Sequence, residues 1–463
     1  MHRLNPTPAV CLTTDPTLRV RMACLLVLTI LGTALGCSSE SPSPSTTSPK
    51  AITTTTTSTP EKDPAPPTPA TSTPELNGAF KTITAMAFGP DGTLFWGDSG
   101  TGKVHAIMPP AADNKAAKAP FNLKGIDSKI AGVLGTTSAH VRVRDLAIHP
   151  KTKEAYLALG RVTGKTYASA VAIVNQTGDV RLLDLSGATS KQIPFAPTKE
   201  FHFYRDVPGR DLTFTDLEVH KGTLYVAGLS NADFTSSLWA LPVSLKGDVQ
   251  TSKVEIYHAV HAQKETRAPI RSMKVVDING VDYMIAAYTC TPLVAFPLTA
   301  VKDGAKITGK TIAELGYGNT PGDLLSFMAQ DDKKNTFPVL FLQHKNQSAQ
   351  VIPLKGVAEA VGKAGITEPV GLKTVNLGAM PVPMTQILQA ADQDPFHLVV
   401  VRRDIEQGDL ELVSYMKNVY FRLSDFQSEY EIPGYAYAPD QEKIKQFQNI
   451  MKKSEGFSDL AKP

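Results

Sequence analysis

Cysteine is nearly missing from this chain: four residues in 463, at positions 11, 24, 37 and 290. Beyond residue 36 only Cys37 and Cys290 remain. With Cys37 committed to another role, as argued below, no internal disulfide can form, and the folded part must be held by its core. There is no Cys-x-x-Cys-His, which excludes covalent haem of the c type. An excess of charge of one sign is lacking too: 47 Lys and Arg stand against 44 Asp and Glu, a net +3. Without residues 1 to 36, which carry Arg3, Arg19, Arg21 and Asp15, the balance is 44 against 43, or +1. A nucleic acid partner needs clustered excess Lys and Arg, so none is expected. The apolar run from Ala23 to Leu35 is too short to span a bilayer.

That run is nevertheless informative. Every residue in it except Thr29, Gly32 and Thr33 is apolar, and Arg19 and Arg21 precede it, the basic and apolar regions of a secretory leader. It ends in Ala34-Leu35-Gly36-Cys37, which resembles the processing site of bacterial lipoproteins, with Ala34 in place of the commoner Leu. The resemblance implies a signal peptide over 1–36, a palmitate-bearing Cys37 as first mature residue, and a membrane anchor in the cell envelope. Ser38 after the Cys, rather than Asp, favours the outer membrane if the source is Gram-negative. The alternative is an ordinary cleaved leader followed by an incidental Cys.

Residues 38 to 76 hold 28 Ser, Thr or Pro among 39 positions. Such a segment has almost nothing to place in a core, and 37–76 reads as a disordered tether. Drawn out at about 3.1 Å per residue it would reach roughly 120 Å.

From residue 77 one pattern recurs: a short strand, a turn, a second apolar strand, then a third. Copies start at Ile83, Arg144, Thr215, Arg271, Asp323 and Gln386, about 50 to 70 residues apart as expected for β-propeller blades. Phe88-Gly-Pro-Asp-Gly-Thr-Leu-Phe-Trp-Gly-Asp98 resembles blades of the NHL, gluconolactonase-like and quinoprotein-like propellers. The whole of 77–463 also resembles uncharacterised secreted bacterial propellers, through runs such as Val226-Ala-Gly-Leu-Ser-Asn231 and Ala287-Tyr-Thr-Cys-Thr-Pro-Leu293. The expected fold is all-β, a six- or seven-bladed β-propeller over 77–438. A seventh blade would pair Val419-Tyr-Phe-Arg-Leu423 with a strand near Leu76 and close the ring. A helix is expected after Pro439, within a 439–463 tail, with Ile444, Phe447 and Met451 on one face. A second short helix is expected over Asp127 to Leu134.

In such a fold the first strand of each blade lines the central channel. Equivalent starts are Thr84-Ala85, Arg144-Asp145, Thr215-Asp216, Arg271-Ser272, Gly322-Asp323 and Thr385-Gln386. The candidate site at the channel mouth is therefore Arg144, Asp145, Asp216, Arg271, Asp323 and Gln386. Buried charges need partners, so the ring holds a divalent metal or a polar small molecule, or is satisfied by internal salt bridges and channel water. A gluconolactonase-like enzyme places a metal-binding Glu where Thr84-Ala85 stand here.

Other motifs dissolve on inspection. Gly97-Asp-Ser-Gly-Thr-Gly-Lys-Val104 approaches a P-loop, but Val104 sits where a hydroxyl must hold magnesium, and the stretch reads as a hairpin. His258 and His261 have metal-ligand spacing, yet no Cys or carboxylate motif accompanies them in sequence, and Cys290 alone reads as a small core residue. Two functions remain open. One is a non-catalytic module binding a protein or small polar ligand on the propeller face. The other is a propeller enzyme, of hydrolase, lactonase or oxidoreductase type, with Asp145, Asp216 and Asp323 as acids, bases or metal ligands and Arg144, Arg271 and Arg402 clamping an anion.

Overall fold

In the computed structural model the described residues are 82 to 460, except 111–112, 164–165, 197–201, 204–206, 232–234, 317, 332, 372–374, 429–431, 433–440 and 459. The expected signal peptide over 1–36, Cys37 and the expected tether over 37–76 lie outside them. Six sheets form a six-bladed β-propeller, five of them four-stranded and antiparallel, and the one that starts at Asp216 carrying two further short strands, Gln263–Glu265 and the parallel Lys306–Thr308. Their innermost strands are Ile83–Phe88, Val141–Ile148, Asp216–His220, Ile270–Ile278, Pro321–Gln330 and Ile387–Asp392, here called the first strands of blades 1 to 6.

Local chemistry explains each hairpin. Blade 1 turns at Pro90-Asp91-Gly92, where the Asp91 carboxylate accepts hydrogen bonds from the Thr93 N–H and hydroxyl and Gly92 takes a positive φ of 104°. Blade 4 turns at Asn279-Gly280, both with positive φ, the two-residue geometry that suits the twist of its strands. The second strands are buried on both faces over much of their length, as in Leu94–Asp98, because each blade is packed between two others.

The blades do not follow one another in chain order. The first strand of blade 1 lies between those of blades 2 and 3, and blade 2 closes the ring against blade 6. The order around the axis is 1-3-4-5-6-2. Six hydrophobic clusters say the same, one filling each junction. Ile83, Met86 and Trp96 of blade 1 pack on Tyr156 and Ile173 of blade 2, while Ala85 and Phe95 pack on Phe214, Leu217 and Trp239 beside blade 3. Val399 and Leu412 of blade 6 meet Val141 and Leu157 of blade 2.

Two borrowed outer strands make this order possible. Thr189–Gln192, which follows blade 2 in the chain, pairs with Lys103–Ile107 and completes blade 1. Asn122–Leu123, which follows the inner strands of blade 1, pairs with Leu412 and Val413 and completes blade 6. Six blades close the ring, so the expected seventh is not formed. The segment around Val419-Tyr-Phe-Arg-Leu423 caps blade 6 instead of forming a strand. Tyr420 has φ 58°, and the buried Arg422 donates to the Ser414 carbonyl and to Asn122 Oδ1. The stretch near Leu76 is outside the described residues. The two expected helices are present, as Ile126–Val133 and Gln441–Ser454, the latter burying Ile444. A third, Leu354–Val361, packs Val357 and Val361 onto blades 4 and 5.

Candidate functional site: the axial channel

The first strand of a blade has a second strand on one side only. Its other edge faces the axis, where backbone N–H groups lack ladder partners and need acceptors. Three Asp-Leu dipeptides meet this need. Asp145 accepts from its neighbour Leu146 N–H at 2.7 Å and from Met86 N–H of blade 1 at 2.5 Å. Asp216 accepts from Leu217 N–H at 2.8 Å and from Met273 N–H of blade 4 at 2.6 Å. Asp323 accepts from Ala390 N–H of blade 6 at 2.5 Å. The following residues Leu146, Leu217 and Leu324 turn the opposite way and are buried in the cores.

In the order 1-3-4-5-6-2 these clasps join blades 3 to 4, 5 to 6 and 2 to 1. Every second junction therefore carries one, always from an Asp-bearing blade to the next blade in the same direction. The intervening blades place Ala85, Ser272 and Gln389 at the equivalent position, just before the N–H donors Met86, Met273 and Ala390. Gln389 Nε2 donates to the Arg144 carbonyl across the junction of blades 6 and 2. The Thr84 hydroxyl donates to the Phe214 carbonyl between blades 1 and 3.

The three carboxyl groups line an axial cavity of about 250 Å³ together with Glu218, Lys274 and Asp392. Burial, and then the charges of Asp323 and Asp216, push the Asp145 carboxyl well above the usual range. Burial does the same to Asp216, against its bond from Met273, and raises Asp323 to about 7. One layer further along, Lys274 Nζ lies 2.9 Å from Glu218 Oε1. The cavity opens into a mouth of about 780 Å³ lined by Phe88, Ile148, Val219, Phe327, Lys153 and Lys417 among others. Phe88, Ile148, Val219 and Asp392 belong to both spaces, which form one funnel. Lys417 Nζ is held 2.8 Å from Asp392 Oδ1 and 4.7 Å over the Phe327 ring.

Of the residues expected at the channel mouth, Asp145, Asp216 and Asp323 are brought together. Arg144 is not in the cavity lining: its Nη1 donates to Asp211 Oδ2 at 2.8 Å and its Nε to the Tyr167 hydroxyl at 2.5 Å. Arg271 is half-buried and feels the charge of Asp216, while burial pushes its guanidinium down. Its Nε is buried with no hydrogen-bond partner. Gln386 is exposed, with φ 58°, ahead of the strand; the ring position belongs to Gln389. The strand carries a bulge between Ile387 and Gln389, and the same irregularity occurs in blades 1, 2, 4 and 5. Arg402 belongs to a different network, bonded to Glu411, Tyr415 and Asp425.

Glu218, Lys274, Asp392 and Lys417 were missed as channel residues by the sequence reading. A period-two count from the Asp residues finds two of them, since Glu218 is two residues after Asp216 and Lys274 two after Ser272. Among the described residues, the one group of three His, Cys, Asp or Glu side chains with donor atoms close enough for a shared ion is elsewhere: His258, His261 and Cys290.

No protein-family model and no curated protein sequence matches the chain. Three solved structures are among those it is similar to. The PQQ-bound form of aldose sugar dehydrogenase from Streptomyces coelicolor shares 8% identity over 73% of this chain and 94% of that one, at a TM-score of 0.27. A streptogramin B lyase structure shares 7% over 75% and 84%, at 0.25. A protein from Lactobacillus plantarum shares 11% over 74% and 87%, at 0.28.

Proposed function

We propose that this protein is a lipid-anchored binding module of the cell envelope, tethered through Cys37, whose propeller takes a small polar ligand into the axial funnel. The observation that carries this reading is the lining of the inner cavity, where five carboxyl groups, from Asp145, Asp216, Glu218, Asp323 and Asp392, meet one ammonium, that of Lys274, while Lys153, Lys221 and Lys417 stand at the wider mouth. Such a floor favours a ligand presenting amine or hydroxyl donors, and the aromatic mouth suits a less polar remainder. The test is calorimetric titration of the purified protein with amines, polyols and sugars. The reading requires a ligand of this class whose binding is lost in Asp323→Asn with the far-ultraviolet spectrum unchanged. Equal binding by that variant, or no binder across the panel, contradicts it.

One observation favours an enzyme at the same place. Asp323, at about 7, has the proton affinity of a general acid or base working at neutral pH. Turnover of the bound ligand, lost in Asp323→Asn, would turn the module into a catalyst.

The anchor has its own test. Cells expressing the protein and fed an alkyne-bearing palmitate analogue should label the wild type and leave Cys37→Ser unlabelled. Labelling of both would refute the anchor.

A further inference from the structure

Outside the channel, at the junction of blades 3 and 4, three donor side chains from two separate chain segments come together. His258 ends the outer strand of blade 3, Gln250–His258. His261 sits in the turn that follows, and Cys290 in the turn between Val281–Tyr288 and Pro292–Pro297 of blade 4. One donor atom from each lies within 4.8 Å of the others. The two imidazole rings are 3.8 Å apart. Tetrahedral zinc, with bonds of about 2.0 to 2.3 Å, spaces its ligands about 3.5 Å apart, so each side chain needs to close by roughly half an ångström or so.

The surroundings are those of a built site. Glu265 Oε1 accepts from Nδ1 of His258 at 3.0 Å and from Nδ1 of His261 at 2.8 Å. One carboxylate thus takes Nδ1 of both rings, while His258 Nε2 faces the Thr291 hydroxyl, itself bonded to Glu314; a metal taking Nε2 displaces that contact and is left with rings oriented by a shared carboxylate, as ligating histidines are in metalloproteins. His258 is fully buried, Cys290 is half-buried, and the His261 side chain is 47% exposed, so the cluster has a wall and an entrance. Cys290 adopts φ 81°, an uncommon conformation for a residue with a Cβ.

We infer that His258, His261 and Cys290 form a binding site for one zinc ion or a similar borderline-soft divalent metal, with Glu265 as the positioning residue for both histidines. Two nitrogens and a thiolate select zinc, cobalt or copper over magnesium and calcium, which take oxygen donors. Three protein ligands leave a fourth position open towards the exposed side of His261. Loading deprotonates the Cys290 thiol and replaces the contact of His258 Nε2 with the Thr291 hydroxyl, so protons are released as the metal enters.

The experiment uses the full chain, purified without a polyhistidine tag, stripped with chelator and titrated with Zn2+ and with Co2+. The expected result is one ion per chain, with a thiolate-to-cobalt charge-transfer band in the near ultraviolet and no uptake of Mg2+ or Ca2+. Cys290→Ser should abolish the band and weaken zinc binding at least tenfold. His261→Gln, at an exposed position that tolerates substitution, should weaken it similarly while thermal unfolding of the metal-free protein is unchanged. Glu265→Gln should keep the band and lose about 10- to 100-fold in affinity. Absence of a stoichiometric ion, or a band that persists in Cys290→Ser, overturns the site. Binding undiminished in both Cys290→Ser and His261→Gln does so too, by placing the ion elsewhere, as at the Asp ring.

Discussion

The six blade junctions are of two kinds, and they alternate around the ring. At three of them an Asp of the channel wall reaches across and accepts a backbone N–H of the next blade. At the others the links are lighter, a Thr84 hydroxyl to one carbonyl and a Gln389 amide to another, or the contact is an apolar core such as that of Val276, Ile285, Leu324 and Leu340 between blades 4 and 5. All six have comparable hydrophobic clusters. What the clasps add is polar satisfaction of first-strand edges, together with three carboxyl groups directed at one cavity. A single set of residues thus both joins the ring and furnishes its chemistry. The cost appears in the raised proton affinity of all three, since a carboxylate held in a low-dielectric channel among others of its kind prefers its proton.

Removing a clasp should have the largest effect. Asp216→Ala leaves the Leu217 and Met273 N–H groups without their acceptor, and at pH 5 should cost about 3 kcal/mol in urea unfolding, since each orphaned buried donor costs about 1 to 3 kcal/mol. At pH 8 the loss should be smaller, because the variant also removes a charge that was buried unfavourably. An equal loss at the two pH values would break the link between clasp and charge.

At an unclasped junction the change should be smaller. Gln389→Ala removes one neutral hydrogen bond and should cost about 1 kcal/mol, and Thr84→Ala removes two, to the Phe214 carbonyl and the Ser99 hydroxyl, and should cost about 2 kcal/mol. Costs matching Asp216→Ala would make the two kinds of junction equivalent. Least perturbing of all, cross-linking reads the blade order without a mutation. Lys124 Nζ lies 3.6 Å from Glu411 of blade 6, and Lys191 of blade 1 reaches the Gly247 carbonyl beside blade 3. Carbodiimide should couple Lys124 to Glu411, and a short amine cross-linker should join Lys191 to Lys246. Their absence would favour blades in chain order and dissolve the alternation, which exists only because blade 2 lies between blades 6 and 1.

That order was the part least visible in the sequence. The repeated apolar strands announce blades, and Asp145-Leu146, Asp216-Leu217 and Asp323-Leu324 announce that three of them share a channel residue. The order depends instead on two short outer strands. Thr189–Gln192 reads Thr-Ser-Lys-Gln and Asn122–Leu123 has two residues, so neither carries an apolar pattern that could mark it as a strand or name its partner. Gln386, expected in the ring, lies ahead of the strand and three residues short of Gln389, and the bulge between Ile387 and Gln389 breaks the period-two count that could have reached the ring position. Arg144 was expected in the channel beside Asp145, but adjacent residues of a strand point to opposite sides, and its head group found Asp211 and Tyr167. The His258, His261 and Cys290 cluster is split between two blades, with its carboxylate, Glu265, on a third short strand, Gln263–Glu265. No local motif could show it.

The most direct test of the enclosed carboxyl ring is the pH dependence of unfolding in the wild type and in Asp323→Asn. Burial raises Asp323 to about 7 in the folded chain against an ordinary 3.8, so the folded protein binds the extra proton between these values. Its contribution is fully present below pH 4 and is lost as pH rises to 7, by an amount on the order of a few kcal/mol. Asp145 and Asp216, shifted in the same direction, add to the decline. The account predicts that the wild type loses stability from pH 4 to 7 and that Asp323→Asn shows a clearly shallower slope in that window. An identical slope in the variant would mean that Asp323 titrates as an exposed carboxyl, and the enclosed ring would be contradicted.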